Sequence, residues 1–321
     1  MEPMQPDSGQ PLVSFVVPLY NTGASLTKLL DAFRSLPIEG GWELVLVNDA
    51  SPDGTGDRVK PLLDAMPIPV VFVDMARNFG EHAAVLEGYR HTRGKFVINL
   101  DDDLQNPVSE ALKVLAHMQS HGCDVVYTWF EEKKHHWFRN LGSWITNYCA
   151  THLLDKPRDL YLSSFRGLRR ELVDRITTYS GPYPYIDGLI LGATNRIDRL
   201  QVDHSEREEG QSGYTLRKLV RLWMNMFFNF SIMPLRFASV MGFILCGLGT
   251  LTLLVAIGEY LFVGRTTTGW ASLMAAIALF SGAQLVMLGL IGEYVGRAYM
   301  TVSGKPQSLA RSVTVHTPAA P

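Results

Sequence analysis

The sequence predicts an α/β protein with a doubly wound, mostly parallel sheet, followed by two membrane-spanning helices. Three observations predict this architecture. Residues 12–130 alternate short apolar segments with amphipathic ones, polar residues follow four of the apolar segments, and two long uncharged stretches lie near the C-terminus. The alternation is typical of βαβ units, whose parallel strands are buried on both faces and read as continuous apolar runs.

The individual elements follow from their periodicity. Five short, nearly continuous apolar runs predict strands: LVSFVVP, WELVLVND, VVFVDM, KFVINLDDD and CDVVYTW. Three segments that place apolar residues on one helical face predict helices between them: SLTKLLDAFRSL, EHAAVLEGYRHT and PVSEALKVLAHM. Ligands of doubly wound sheets bind beyond the carboxyl ends of the strands, so the polar residues there are the candidate site.

The composition limits the function classes. The 321 residues are 47% hydrophobic, which is enough for a full core. The 29 basic and 31 acidic residues nearly balance, which argues against a nucleic-acid binder. Residues 1–11 are polar and proline-rich and are expected to be a disordered N-terminus ahead of the N-terminal domain, 12–215.

Four polar segments follow predicted strands, at 18–21, 48–55, 77–82 and 101–103. Each alone is compatible with an ordinary turn or helix cap, but four at one edge of a sheet favour a ligand site. Three adjacent aspartates repel one another unless a cation compensates for their charge. Since residues i and i+2 of an extended or turning backbone project to the same side, Asp101 and Asp103 are predicted to converge on a Mg²⁺ or Mn²⁺ ion, while Asp102 points away.

Two stretches without a charged residue, 237–257 and 266–292, each exceed the roughly 20 residues that a helix needs to cross a bilayer. They predict a transmembrane hairpin over 236–296, with a pair of buried core helices as the alternative. Basic residues flank the hairpin on both outer sides, whereas its loop holds only Arg265. By the positive-inside rule, the N-terminal domain and the tail, 297–321, are expected in the cytoplasm.

Two further segments, 133–154 and 216–235, have the composition of amphipathic helices that lie in a membrane interface. In both, tryptophan and other apolar residues follow a helical period, and basic residues lie beside them or opposite. A core helix is the alternative interpretation of 133–154. Two interfacial helices would hold the candidate site close to the lipid headgroups.

Together these motifs resemble a known family. VVPLYN, LVNDASPDGT, RNFGEHAAVLEGY and INLDDDLQNP are similar to segments of the inverting nucleotide-sugar glycosyltransferases of family 2, which have the GT-A fold. With its two C-terminal spans, the chain resembles the polyprenyl-phosphate glycosyltransferases of that family from Leu12 to Pro306. The resemblance implies transfer of a sugar, most simply a UDP-linked one, to undecaprenyl or a related polyprenyl phosphate at the bacterial inner membrane. The oligomeric state stays open: relatives form tetramers, and the spacing of Gly292 and Gly296 permits close helix contact.

Carried over residue by residue, the resemblance implies a donor site and a metal site. It assigns donor binding to Pro18, Tyr20, Asn21, Asp49, Arg77, Asp101 and Asp102, and Mg²⁺ or Mn²⁺ binding to Asp101, Asp103 and Gln105. Asp103 is accordingly expected to be catalytic. The family often has acids where Thr22 and Asn48 stand, so fewer nucleotide contacts are expected here.

The acceptor side is expected in DHSEREEGQSGYTLRKL, which resembles the family pattern R-x-x-G-x-S-K-Y. Arg207 and Ser212 match the pattern, whereas Gly213 replaces its lysine. Arg207 is the expected clamp of the lipid phosphate and the second catalytic residue, because a guanidinium binds phosphate through two hydrogen bonds. Acceptor binding is assigned to Arg139, Arg207, Ser212 and Lys218.

The expected reaction does not require a general base. Many relatives carry an aspartate just before an FR dipeptide, where this chain has Ser163 and Ser164, and the nearest acid is Asp159. A phosphate monoester has a second pKa of about 6, so it is largely a dianionic nucleophile at neutral pH. Two alternatives stay open: a membrane-bound transferase with a hydroxyl acceptor, which would need a base, and a non-catalytic membrane scaffold with a degenerate transferase domain.

Overall fold

The computed structural model describes residues 10–23, 25–38, 40–130, 157, 160–203, 233–263, 269–304, 306 and 308–318. The described chain forms two compact units. The first contains residues up to 203 together with 306–318, and the second contains residues 233–304.

The first unit is built on one mixed sheet. Its strands in chain order are β1 (Val13–Leu19), β2 (Trp42–Asn48), β3 (Val70–Met75), β4 (Phe96–Asn99), β5 (Val125–Trp129), β6 (Arg166–Arg169), β7 (Ile197–Gln201) and β8 (Ala310–His316). Across the sheet they lie in the order β7-β5-β6-β4-β1-β2-β3-β8. Strands β1, β2, β3 and β4 pair in parallel with one another, and β5 pairs in parallel with β7. Strand β6 is antiparallel to both β4 and β5, and β8 is antiparallel to β3.

Helices cover both faces of this sheet. They are α1 (Ser25–Arg34), α2 (Thr55–Leu63), α3 (Glu81–Arg90), α4 (Glu110–Ser120), α5 (Arg170–Thr177) and α6 (Ile186–Ala193). Apolar residues of α1, α2 and α4 form one core with Phe15 and Val17 of β1. Val16, which lies between these two residues, points to the opposite face of the sheet and packs in a second core with α3, α5 and α6. Because successive side chains of a strand point to opposite faces, a strand buried on both faces has to be apolar throughout.

The predicted fold class is confirmed. The five predicted strands correspond to β1 to β5, and the three predicted helices correspond to α1, α3 and α4. Helix α2 was not predicted, because its sequence contains Pro61 and few apolar residues, of which Val59 and Leu63 are buried. Strand β6 was also not predicted, since two of its four residues are arginines.

Strand β8 is the largest departure from the sequence analysis, which treated 297–321 only as a tail. It pairs antiparallel with β3, from His316 opposite Val70 to Ser312 opposite Asp74. Just before the strand, the carbonyl of Leu309 accepts a hydrogen bond from Ala76 N–H at 2.8 Å. The chain therefore returns to the first unit after the second unit, and its last described segment protects the β3 edge of the sheet.

The second unit consists of two long helices, α7 (Met233–Val263) and α8 (Trp270–Val302). By length and composition, Leu235–Gly258 and Leu279–Val302 are candidates for crossing a membrane. The most apolar part of each helix has no buried residue, and the side chains of Phe243 and Leu285 are 79% and 69% exposed. Since a core helix is mostly buried, this exposure favours the membrane-spanning interpretation over a pair of core helices.

The second candidate span extends further than the predicted stretch, which ended at residue 292. Helix α8 continues to Val302, and its charged residues there are paired: Arg297 binds Glu293, one turn earlier, at 2.7 Å. The two helices run antiparallel, because Gly242 lies beside Met287 and Gly249 beside Phe280. A Cβ at Gly292 or Gly296 would meet no atom within 4 Å, so these glycines take no part in the described helix contact.

The attachment of the C-terminal segment predicts a pH-dependent stability. Glu87 on α3 binds Ser308, Arg90 and His91. Hydrogen bonds from His91, Ser308 and Arg90 lower the pKa of Glu87 to about 2, against the partial burial that raises it. A carboxyl with a lowered pKa in the folded chain stabilises it above the unfolded pKa, and this contribution is lost as the pH falls toward 2. Glu87→Gln is therefore expected to lower the free energy of unfolding by about 2 kcal/mol at pH 7 and by much less at pH 2.5.

Denaturant titrations of the full chain in detergent at both pH values measure this difference. Glu171→Gln on α5, an exposed glutamate, is the matched control and is expected to change little at either pH. A loss for Glu87→Gln that is equal at pH 7 and pH 2.5 would contradict the ionic role of Glu87.

Candidate active site

The loops after β1, β2, β3 and β4 meet at the carboxyl edge of the parallel strands, as the sequence predicts. We call residues 20–23, 49–54, 76–80 and 101–106 the carboxyl-edge site. Asn21, Ala50 and Leu104, in three of these loops, have positive φ angles of 55°, 49° and 58°. Residues other than glycine rarely adopt this conformation, and such strain is concentrated at functional sites.

Asp102 connects the aspartate run to the loop after β1. Its Oδ2 accepts hydrogen bonds from Tyr20 N–H at 3.2 Å and from the Thr22 hydroxyl. Burial raises the pKa of Asp102, and the bond from Thr22 opposes this shift. Thr22, which stands where the family often has an acid, is thus the hydroxyl partner of Asp102.

The loops after β1 and β2 are also tied to each other. Asn21 N–H donates to Ser51 Oγ at 3.2 Å, and Gly23 N–H donates to Asp53 Oδ2 at 3.1 Å. Pro18 is half-buried at the end of β1, whereas 48% of Tyr20 is exposed. The residues implied for donor binding on this loop therefore lie at the rim of the carboxyl-edge site.

Asp49 holds the loop after β3. It is buried, and its two carboxylate oxygens accept Phe79 N–H at 2.7 Å and Gly80 N–H at 2.9 Å. Burial raises the pKa of Asp49, and these two backbone bonds oppose the shift. The same loop carries Arg77, exposed to solvent with its guanidinium 4.6 Å from the ring centre of Phe79. Asp49 thereby positions the implied donor residue Arg77.

Asp101 and Asp103 have different partners. Asp101 Oδ2 accepts the hydroxyl of Ser164 at 2.5 Å, and Asp103 Oδ1 accepts the backbone N–H of Gln105 at 3.2 Å. Burial raises the pKa of Asp101 to about 6, with Asp103 and Asp102 adding to the shift and Ser164 opposing it. The carboxylate run is therefore electrostatically crowded.

The donor set of this run fits a divalent ion that binds together with a substrate. Among the described residues, no group of three or more His, Cys, Asp or Glu side chains is arranged to hold a metal by itself. Mg²⁺ is commonly bound by one or two carboxylates, with the remaining ligands from phosphates and water. Asp101 and Asp103 are the two carboxylates that would bind such an ion, and a diphosphate would supply the remaining ligands.

The family model for glycosyl transferase family 2 matches residues 14–177, which include every loop of the carboxyl-edge site. The chain belongs to glycosyl transferase family 2. Curated relatives agree with the match over almost the whole chain. A protein of Pseudomonas fluorescens named undecaprenyl-phosphate 4-deoxy-4-formamido-L-arabinose transferase is 34% identical over 315 residues, 96% of this chain and 92% of that protein. A protein of the same name from Proteus mirabilis is 32% identical over 94% of this chain and 93% of its own.

Solved structures show the fold of this family 2 transferase. Glucosyl-3-phosphoglycerate synthase from Mycobacterium tuberculosis, in complex with Mn²⁺, uridine diphosphate and glucosyl-3-phosphoglycerate, matches with a TM-score of 0.50 and 18% identity. The match covers 68% of this chain and 79% of that one. At this identity the likeness shows the fold alone, the GT-A-like α/β fold that the motifs predicted.

A buried ion pair behind the aspartates was not predicted from the sequence. Arg166, at the start of β6, is 2% exposed and pairs with Asp187 of α6. The hydroxyl of Tyr127 donates to the same carboxylate at 2.9 Å. Burial raises the pKa of Asp101 and of Glu81, and the positive charge of Arg166 offsets part of that rise. The sequence offers one signal for this pair, since arginine is rarely buried without a partner and Arg166 follows the apolar residue Phe165.

The first turn of α3 adds two titratable groups. Glu81 is exposed to solvent, but its carboxyl lies close enough to Asp101 that desolvation, followed by the charge of Asp101, raises its pKa to about 7. Burial lowers the pKa of His82 to about 4, and its ring packs edge-on against Tyr185 at 4.9 Å. The first turn of α3 thus adds a carboxyl with a raised pKa and an imidazole with a lowered pKa.

The predicted acceptor residues cannot be placed. Arg139, Arg207, Ser212 and Lys218 lie outside the described residues, as do Asp159, the segment 133–154 and residues 216–232 of the segment 216–235. Their roles stay predictions.

Two aspartate substitutions separate metal binding from loop positioning. Asp103→Asn is expected to abolish turnover and metal-dependent donor binding, because a neutral amide holds a divalent cation much more weakly than a charged carboxylate does. Asp102→Asn is expected to be much milder, within about tenfold in kcat/KM, since an amide oxygen still accepts the hydrogen bonds from Tyr20 and Thr22. Binding of a nucleotide sugar with and without Mn²⁺, measured by calorimetry alongside turnover, checks both. Equal losses from the two substitutions would show that Asp102 also faces the ion.

Proposed function

We propose that this family 2 transferase moves a sugar from a nucleotide-sugar donor to the phosphate of undecaprenyl or a related polyprenyl phosphate, inverting the anomeric centre. The observation that carries the proposal is the likeness of nearly the whole chain, both candidate spans included, to relatives named for an undecaprenyl-phosphate substrate. The product would be a polyprenyl-monophosphate sugar for modification of the cell envelope.

The carboxyl-edge site would bind the nucleotide-sugar donor. Pro18, Tyr20 and Asn21 would wall the nucleotide pocket, Asp49 would accept a hydrogen bond from the base, and Arg77 would face the diphosphate. A uridine diphosphate carrier is supported by the fold neighbour, which was solved with uridine diphosphate and Mn²⁺. The strained loops that hold these residues are fixed before the donor arrives, which reduces the entropy lost on binding.

Asp101 and Asp103, with Gln105 close by, would hold Mg²⁺ or Mn²⁺. When bound, the ion neutralises the negative charge that develops on the departing nucleoside diphosphate. The chain's own contribution is orientation: Ser164, Tyr20 and Gln105 keep the aspartates apart and directed by separate hydrogen bonds.

Binding of the lipid phosphate would depend mainly on positively charged side chains. Arg207 would bind the lipid phosphate, and Arg139, Ser212 and Lys218 would complete its site. The phosphate dianion is already a nucleophile at neutral pH, so alignment with the donor sugar would be the main requirement.

One observation favours a second candidate function, transfer to a hydroxyl acceptor. Such a reaction needs a general base with a pKa near neutrality. Glu81, with its pKa raised to about 7 beside Asp101, meets that requirement.

The acceptor requirement separates the two functions. Purified transferase with Mn²⁺ and a panel of nucleotide sugars is expected to give a lipid-linked product from undecaprenyl phosphate and none from undecaprenol. Activity is expected to fall as the pH drops through about 6, where the phosphate gains a proton. Because the titrating group then belongs to the substrate, Glu81→Gln and Asp159→Asn are expected to retain this acidic limb. Product from undecaprenol, or an acidic limb that disappears in Glu81→Gln, would favour the hydroxyl-acceptor reaction instead.

The transferase is further proposed to be a two-span protein of the bacterial inner membrane, with its catalytic unit in the cytoplasm. Two observations support this topology. Basic residues flank the hairpin on its outer sides. Strand β8 returns to the sheet of the first unit, which requires an even number of crossings between residue 203 and residue 308.

Reporter fusions test this topology. A reporter fused after residue 318, beyond β8, is expected on the cytoplasmic side, and one inserted within 264–268 on the opposite side. Fusion beyond β8 keeps the strand pairing intact. Reporters that lie on the same side would remove one span and contradict the hairpin.

A further inference from the structure

The two serines before β6 have different environments. The hydroxyl of Ser163 accepts a hydrogen bond from Phe165 N–H at 3.1 Å, so it stabilises the local bend. The hydroxyl of Ser164 instead reaches across to Asp101 Oδ2 at 2.5 Å. The two adjacent serines therefore differ in role: Ser163 stabilises the backbone, whereas Ser164 contacts the aspartate.

The sheet register explains why Ser164 meets Asp101. Strands β4 and β6 are antiparallel, with Phe96 opposite Arg169 and Asn99 opposite Arg166. Continuing this register two residues beyond Asn99 places Asp101 opposite Ser164. The contact is therefore a direct consequence of strand pairing and does not depend on the conformation of a long side chain.

Ser164 is itself held in place. Asn99 Nδ2 donates to the Ser164 carbonyl at 2.9 Å, and Thr128 Oγ1 donates to the carbonyl of Phe165 at 2.7 Å. Side chains from β4 and β5 therefore fix the backbone around Ser164. A hydroxyl fixed in this way can hold one carboxylate oxygen of Asp101 and leave the other directed toward a ligand.

We propose that Ser164 is a positioning residue that orients Asp101 for a divalent cation bound with the nucleotide diphosphate. This inference rests on the proposed function, because it takes Asp101 as a metal ligand. Groups that hydrogen-bond to a metal-binding side chain set its direction, and their loss commonly weakens metal binding by about tenfold or more. The role assigned to Ser164 is orientation, without direct contact with the sugar or the lipid.

Mn²⁺ binding to the full-length protein in detergent, with uridine diphosphate present, tests this role by electron paramagnetic resonance. Ser164→Ala is expected to raise the apparent dissociation constant of Mn²⁺ about tenfold. Ser164→Thr, which keeps the hydroxyl, is expected to restore it. Ser163→Ala is the matched control: it removes a neighbouring hydroxyl that does not contact Asp101, and its Mn²⁺ affinity is expected to stay within about twofold of the wild type, whatever its thermal stability.

Equal Mn²⁺ affinities for Ser164→Ala and Ser163→Ala would overturn the inference, as would a Ser164→Thr protein that binds Mn²⁺ no better than Ser164→Ala. A wild-type protein that binds no Mn²⁺ with uridine diphosphate would instead overturn the metal site of the proposed function.

Discussion

The crowding of carboxylates at one edge of the sheet is the constraint on which the active-site architecture depends. Asp49, Asp101 and Asp102 lie in neighbouring loops, and burial raises the pKa of each. Each is satisfied by donors from a different segment: the loop after β3 for Asp49, the residue before β6 for Asp101, and the loop after β1 for Asp102. The bonds that make these charges tolerable therefore also fix the loops around the site. A substitution that changes the charge of one of these aspartates would therefore also change the conformation of the loop that it binds.

The buried Arg166 offsets part of this negative charge from behind. A buried ion pair is costly to desolvate unless its remaining groups are hydrogen-bonded, and the Asp187 carboxylate also accepts the Tyr127 hydroxyl. Arg166 lowers the pKa of both Asp101 and Glu81, yet these values stay raised, at about 6 and about 7. Burial therefore outweighs the effect of Arg166 at both carboxyls. A divalent cation bound by Asp101 would favour the ionised form of its carboxyl.

Local periodicity predicted the first half of the sheet well, because strands buried on both faces and helices buried on one face have distinct patterns. It also located the polar loops, since the carboxyl ends of parallel strands meet at one edge. The parts that it missed depend on partners distant in sequence. Strand β8 forms because β3 offers an unpaired edge, and Ser164 reaches Asp101 because β4 and β6 share a register. Neither fact can be read from the residues of the segment concerned, because each depends on a strand that is distant in the sequence.

The segment after α8, which is covalently continuous with the second unit, hydrogen-bonds to the loop after β3. After α8 ends at Val302, only a short segment precedes Ser308, which binds Glu87 on α3. Arg311, within β8, donates to the carbonyl of Ala76 at 3.1 Å, and the next residue is the implied donor residue Arg77. The loop that carries Arg77 is thus held on one side by Asp49 and on the other by the segment that follows the second span. A chain without its C-terminal strand would lose these bonds to the loop after β3 and expose the edge of β3, so the last described residues support the carboxyl-edge site as well as the sheet.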